Sequence, residues 1–498
     1  MQAERDAPVP RGSVAAYFVA LLVVVVTWTV GIPKFASPDE TGHVFKAYGT
    51  AHGQLLGVPA PGFPNNLREF DGPDSLGPTN LQCYNGQPDV PAGCATEISP
   101  QLISSAARYP PWYYGLVGVP VAVVGQSESV FAYRLVSAAL CVGLLTLAMC
   151  LVKRAMRADL VALQLVALTP MALFLMASVN PNAIEIAGFV AIWACLTRVF
   201  TDAQLPRRIL ILASLLSAAV VLMRPIAIVW MVGMVIIVLV ASSAQRRRDL
   251  MTRRVVLWSV GPTAIALLAS WAWALYARIE VKDERLTNSL SLGAALRQSI
   301  DNWPRYLRQT IGVLGWLDTP LPSFVYALWI AAIVLVVLIH LRNASFRGVI
   351  ALVLLIAAWL ALPLIVNGFT NSRAGLTYQG RYSLPLFAGL VFLPMWNDKT
   401  TARTRNPQPL LIGTALTLVV VAEVGAFWQM VRRFSVGAHG KILLTGRLPW
   451  SPSVTPTLLI GTNAAAMVAV CWMALRPWGQ IETAAGEGHG QRAEHRAY

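Results

Sequence analysis

Long apolar runs separated by short polar connections dominate the chain. They fall at 14–32, 130–152, 159–178, 183–200, 209–223, 225–243, 255–276, 324–341, 347–366, 382–396, 409–430 and 457–475. A helix needs about 20 apolar residues to cross a hydrocarbon core of about 30 Å. The pattern therefore predicts an all-α polytopic membrane protein with about 12 transmembrane helices. The stretch 209–243 has basic clusters at both ends and reads as two short helices turning at Met223-Arg224-Pro225, because proline cannot continue the first helix's hydrogen bonding. The run Trp112 to Gly125 is different. As a helix it reaches only about 21 Å. Counting it as a span puts Lys153-Arg154, Arg207-Arg208 and Arg246-Arg247-Arg248 outside. As a helix lying along the surface it leaves them in the cytoplasm, where basic clusters belong.

This topology puts residues 1–13 in the cytoplasm, one membrane domain over 14–476, and a polar, Gly-rich, disordered tail over 477–498. Three large segments face outward: 33–129, 277–323 and 431–456, with a shorter loop at 367–381. The first run lacks a small-residue cleavage site and is expected to stay as a span. Composition agrees, with 56% hydrophobic and 13% charged residues among 498, against about 25% charged in an average soluble chain. As the class of the whole chain, a soluble enzyme, a coiled coil and a disordered tail are excluded. The net charge of +15 is mostly cytoplasmic and topological, so it implies no nucleic-acid partner. Cys141, Cys150, Cys195 and Cys471 lie in apolar runs and read as small core residues. Cys83 and Cys94 lie in a polar outer segment, where an oxidising exterior favours a disulfide.

Candidate chemistry concentrates on the outer side. After the first span comes Ser37-Pro38-Asp39-Glu40-Thr41-Gly42-His43-Val44-Phe45-Lys46. Ser37 with Glu40 has the spacing of a capping box, and Pro38 suits a first helical turn. Capping does not account for Asp39, His43 and Lys46, which fall at i, i+4 and i+7 on one helical face. Further polar clusters are Arg108-Tyr109-Pro110-Pro111-Trp112-Tyr113-Tyr114, Ser178-Val179-Asn180-Pro181-Asn182, Gly315-Trp316-Leu317-Asp318-Thr319 and Tyr378-Gln379-Gly380-Arg381-Tyr382. Interface anchoring, turn formation and snorkelling explain such clusters equally well. Glu423 stands inside an apolar run, where a carboxylate is expensive and calls for a partner or a function.

Taken together these segments resemble the GT-C superfamily of membrane glycosyltransferases. A first span is followed by a long outer loop opening on an acidic pair, then an aromatic-Pro-Pro surface helix. The entry to the next span, Gly125-Gln126-Ser127-Glu128 through Arg134-Leu135, is one residue shorter than the pattern. Within the superfamily the chain resembles a bacterial family catalogued only as a domain of unknown function. The matching residues are Pro38-Asp39-Glu40 with His43, Pro110-Pro111-Trp112-Tyr113-Tyr114, Gly315 with Asp318-Thr319, and Gln379-Gly380-Arg381-Tyr382. Where that family often has Asp after Asn-Pro, this chain has Asn182, so no essential acid is expected there.

The resemblance implies transfer of a sugar, with inversion, from a polyprenyl-phosphate donor to an envelope glycan or glycolipid acceptor. The expected location is the extracytoplasmic face of the bacterial inner membrane. Such chemistry needs a base for the acceptor hydroxyl and cations for the departing phosphate. Asp39 is the implied base, with Glu40 as the alternative or as a positioning acid. Arg381 is the first choice for the phosphate, ahead of Arg373 and Arg224, since arginine binds phosphate in two-pronged fashion. His43, Lys46, Tyr113, Asp318, Gln379 and Tyr382 are the expected substrate contacts. The resemblance implies no certain cofactor; a divalent cation (Mg, Mn or Ca) on Asp39 or Glu40 is compatible with the pattern. A transporter or flippase of lipid-linked glycans, and a non-catalytic envelope-assembly partner of the same fold, are the competing readings.

Overall fold

The structure is a computed structural model that describes residues 11–63, 67–78, 80–99, 101–153, 156–278, 290–396 and 408–475. The predicted tail 477–498 and most of the N-terminal segment 1–13 lie outside the described residues, as does part of the loop 277–323. In chain order the helices are α1 (Arg11–Gly31), α2 (Glu40–Ala51), α3 (Pro111–Val123), α4 (Val130–Leu151), α5 (Arg157–Ala167) and α6 (Pro170–Met176). Then follow α7 (Pro181–Thr201), α8 (Arg207–Met223), α9 (Ala227–Ala241), α10 (Ala244–Leu250), α11 (Arg253–Tyr276) and α12 (Leu292–Asp301). The last are α13 (Trp303–Ile311), α14 (Ser323–Asn343), α15 (Phe346–Ala374), α16 (Leu384–Phe392), α17 (Gln408–Val436) and α18 (Pro456–Leu475).

Among the described residues eight helices are long and apolar enough to cross a membrane by themselves. Each of the 12 predicted runs is helical, but four depart from a simple single span. The run 159–178 is two helices, α5 and α6, bent by 88°. Thr169 accepts a hydrogen bond from the Ala172 N–H, and Pro170 occupies the first turn of the new helix. A capped start with an N-terminal proline cannot continue the helix before it. The break at Arg224-Pro225 separates α8 from the 15-residue α9. The tenth run is the nine-residue α16 followed by a 3-10 turn, Leu393–Trp396.

Two helices overrun their apolar segments. Helix α15 continues through Asn367 and Asn371 to Ala374, absorbing half of the expected loop 367–381. Asn367 Nδ2 donates to Ser299 Oγ at 2.9 Å and to Tyr306 Oη at 3.2 Å, while its Oδ1 accepts from the Tyr378 N–H. With those amides paired, the helix has no reason to stop where its apolar run does. Helix α17 likewise extends to Val436 and carries Arg433 into the protein.

Packing is centred on α5, α6 and α7, which are buried almost throughout. Around them α4 packs on α7, α18 on α1, α14 on α17, and α8 on both α7 and α11. Helix α11 exposes Leu257, Val260, Ile265, Leu268, Trp271 and Leu275; an apolar stripe of this kind suits lipid rather than water. Cys141, Cys195 and Cys471 are buried as expected, whereas Cys150 is exposed at the end of α4. Glu423 is fully buried in α17, close to Trp28 of α1.

One end of the bundle carries the long segments. There α2 and α3 lie side by side, with Tyr113, Tyr114, Val117 and Val121 turned inward and Trp112, Leu116, Val119 and Val123 exposed. The two helices touch at Gly118, where a Cβ would stand 2.2 Å from the Ala47 carbonyl oxygen. A small antiparallel sheet, β1 (Val58–Pro59), β2 (Arg68–Phe70) and β3 (Leu102–Ser104), adds strand to a segment expected to be helical only. Cys83 and Cys94 form a disulfide. The hairpin of β4 (Val313–Leu314) and β5 (Thr319–Pro320) closes this end beside α17.

Candidate active site

The site begins where α1 ends. The carbonyls of Thr29 in its last turn and of Ile32 and Pro33 just beyond it accept hydrogen bonds from the Arg134 guanidinium of α4 at 3.2, 2.8 and 2.8 Å. Arg134 meets Glu40 with two prongs, Nε to Oε1 at 2.7 Å and Nη2 to Oε2 at 2.6 Å. The Glu40 side chain is fully buried and also accepts from the Val179 N–H. Ser37 bonds Ser178 rather than the helix start, so the expected capping box does not form. The arginine that satisfies the end of α1 carries a charge into the interior, and Glu40 balances it.

Asp39 points elsewhere. The chain turns through a left-handed backbone at Phe35 and Asp39, both with φ of 63°. That conformation is uncommon for residues other than glycine and concentrates at functional sites. Asp39 is the first cap of α2, yet its side chain makes no capping bond. Its carboxylate is 46% exposed, lines a cavity of about 720 Å³, and accepts from Arg381 Nη2 at 2.9 Å through Oδ2. Arg381 is 2% exposed and stands behind it, with Nε and Nη1 buried and unpaired. An unpaired buried donor costs about 1–3 kcal/mol, a cost that a bound anion removes.

Arg381 is placed by a tight contact. The Gly380 N–H donates to Gln309 Oε1 at 2.9 Å and its carbonyl accepts from Thr310 Oγ1 at 3.0 Å, both on α13. A Cβ at Gly380 would lie 2.1 Å from the Tyr306 carbonyl oxygen, so only glycine fits. Gln379 and Tyr382 on either side face the cavity. Arg224 lies over the Tyr382 ring at 5.1 Å and pairs with Glu185 of α7 at 2.7 Å. Glu185 also accepts from Trp230 Nε1 at 3.0 Å.

The remaining predicted residues divide. His43, one turn beyond Asp39, lines the cavity and bonds Tyr114 Oη through Nδ1 at 2.9 Å. Burial pushes its imidazole down to about 4, against the opposing pull of Asp39, so it is neutral near pH 7. Lys46 shares the helical face but turns inward, donating to the Ala107 carbonyl at 2.7 Å and to that of Leu55. Burial lowers its ammonium to about 7. Tyr113 is in the core, bonded to Ser137 at 3.0 Å. Asp318 is held by Arg433 at 3.3 Å, by the Gly86 N–H and by Thr319, while its neighbour Leu317 reaches the cavity. The Arg373 side chain lies outside the described residues. The cavity thus gathers Asp39, His43, Gln379 and Tyr382, with Arg381 behind them, and leaves Glu40, Lys46, Tyr113 and Asp318 in the framework.

Sequence reasoning missed Glu185, whose signal was a carboxylate inside an apolar run. It also passed over the α12–α13 wall, where Gln298, Asn302, Arg305 and Gln309 line the same cavity as Asp39. Their spacing of four, three and four is that of one helical face. Among the described residues no three His, Cys, Asp or Glu side chains gather as a metal site. Among the described residues that line the cavity Asp39 is the one carboxylate, already paired with a guanidinium, and this donor set is a poor fit for a resident divalent cation.

The fold and cavity define a polytopic membrane protein with an acid–guanidinium pair set into one end of its helical bundle. The chain belongs to the family described as "Predicted membrane protein (DUF2142)", which matches residues 22–390, from within α1 into α16, and includes both acids. No curated protein matches the sequence. Two solved structures are similar at a distance, both of ArnT from Cupriavidus metallidurans. The apo form has a TM-score of 0.43 and 14% identity, over 93% of this chain and 77% of that one. The form bound to undecaprenyl phosphate has the same score and identity, over 95% and 79%. Likenesses this remote assign no residue and no reaction.

Proposed function

We propose that the protein is a GT-C-type glycosyltransferase. It moves a sugar from a polyprenyl-phosphate donor to an envelope glycan or glycolipid on the extracytoplasmic face of the bacterial inner membrane. The observation that carries this reading is the Asp39–Arg381 pair. It places a cavity-facing carboxylate directly against a buried guanidinium that has two donors to spare. Asp39 Oδ1, the oxygen left by Arg381, takes the proton of the acceptor hydroxyl. The acceptor oxygen attacks the anomeric carbon from the face opposite the phosphate, and the bond from that carbon to the phosphate oxygen breaks. Its electron pair leaves with the polyprenyl phosphate, whose added charge Arg381 and then Arg224 neutralise. The sugar ends with inverted configuration. The sidedness rests on the Cys83–Cys94 disulfide, which belongs in an oxidising compartment, and on the basic clusters near 207–208 and 246–248 at the other end of the bundle.

The test is a proteoliposome assay with a radiolabelled polyprenyl-phosphate sugar and an envelope glycan extract. The wild-type protein should move label into the glycan fraction, and Asp39→Asn should slow this about 10²- to 10⁴-fold. Label that crosses the bilayer while remaining on its lipid would instead make the protein a transporter.

A further inference from the structure

The α12–α13 wall of the cavity carries chemistry that the transfer mechanism does not use. Helices α12 and α13 follow one another across Asn302, and Gln298, Asn302, Arg305 and Gln309 all line the cavity. Leu292 and Ile300, on the other side of α12, are 60% and 56% exposed. The pair has the form of an interfacial element with an apolar outer face and a polar inner one. Beside the polar stripe stand three tyrosines in edge-to-face contact. Tyr306 and Tyr378 have ring centres 4.8 Å apart, and Tyr378 and Tyr382 have theirs 6.0 Å apart. Gln379 Oε1 is buried in the same wall and accepts no hydrogen bond. An acceptor oxygen left this way awaits a hydroxyl or amide donor. Amide side chains, aromatic rings and an open acceptor are the groups that hold a polyhydroxylated ligand, and a cavity of about 720 Å³ is the size that takes one of a few rings.

Arg305 adds a charge to this surface. It is exposed, lines the cavity, and makes no ion pair among the described residues. His43 is neutral near pH 7, and Arg381 stands behind the lining against Asp39, away from the stripe. Among the described residues that line the cavity, Arg305 is therefore the cation without an acidic partner, presented to whatever occupies the stripe. An unpaired guanidinium in a polar cleft binds an oxyanion, carboxylate or phosphate, with two-pronged geometry.

We infer that the 298–309 face is the acceptor subsite and that Arg305 selects an acceptor glycan carrying an oxyanion. This rests on the glycosyltransferase reading, and it adds that the acceptor is acidic. The oxyanion belongs to the glycan, and the alternative source is the donor lipid's own phosphate.

The experiment measures binding, not transfer, so its outcome is separate from that of the transfer assay. Full-length protein in lipid nanodiscs is titrated with a glucuronate-containing tetrasaccharide, with the same tetrasaccharide after carboxyl reduction, and with undecaprenyl phosphate. The wild-type protein should bind the acidic tetrasaccharide about tenfold more tightly than its reduced twin. Arg305→Gln should bring the two within about twofold, Arg305→Lys should keep part of the preference, and neither should change undecaprenyl phosphate binding. Equal affinities for the twins in the wild-type protein, or binding of neither, overturns the proposal. So does an Arg305→Gln protein whose loss falls on undecaprenyl phosphate, which would place Arg305 with the donor.

Discussion

Asp39 and Glu40 are adjacent carboxylates, each paired with an arginine, and the protein uses them in opposite ways. Glu40 is sealed: it is fully buried, bound by two prongs to a 4% exposed Arg134, and closed by a backbone N–H. Asp39 is half open: its arginine is buried, but its own carboxylate faces the cavity with one oxygen uncommitted. A left-handed residue at the helix start makes the difference, because it turns one side chain outward just before the helix carries the next one inward. A sealed ion pair holds architecture in place and has no capacity left for substrate. A half-open one can exchange a proton on one side and hold an anion on the other.

That contrast sets the predictions. Glu40→Ala leaves the Arg134 guanidinium buried without its counter-charge, which costs about 3–5 kcal/mol. Chemical unfolding in detergent micelles should report that loss, and a change under about 1 kcal/mol would deny the framework role. Gly380→Ala drives a methyl group into the Tyr306 carbonyl and should cost about 1–3 kcal/mol. It should also weaken transfer by displacing Arg381, and an unchanged rate would detach that loop from the chemistry.

A further effect is in the pH profile of stability. Folded Lys46 releases its proton near 7, while the unfolded ammonium keeps it to about 10.5. The unfolded state binds more protons between those values, so stability should rise with pH from about 7 to 10.5 and be flat in this respect below 7. His43 adds a second window. The unfolded imidazole gains a proton below about 6.5 and the folded one only near 4, so stability should fall as pH drops between them. Lys46→Met should flatten the first window and His43→Asn the second, both read as melting temperature against pH.

Much of this was legible in the residues. The 12 apolar runs announced the helices, and the clusters around 37–46 and 378–382 met at one cavity although Asp39 and Arg381 are 342 positions apart. What stayed hidden was each acid's partner. Glu40 looked like a helix cap because capping is local, and its real partner is 94 positions away on another helix. Lys46 and Asp318 carried the right charge on the right surface, but carbonyls and Arg433 had already claimed them. Helices α15 and α17 outran their apolar segments because distant side chains satisfied their polar turns, which hydropathy cannot register. The α12–α13 stripe was readable as an amphipathic spacing, yet its segment was taken for a loop.

The most direct test of this division of labour is the transfer rate per folded molecule of Asp39→Asn. Asparagine tolerates the left-handed backbone, can still accept from Arg381, and replaces a side chain that is half open to the cavity, so the protein should still fold. The account predicts a well-folded protein whose transfer from a polyprenyl-phosphate sugar is slowed at least about 100-fold. A well-folded Asp39→Asn protein that transfers sugar at the wild-type rate would contradict it.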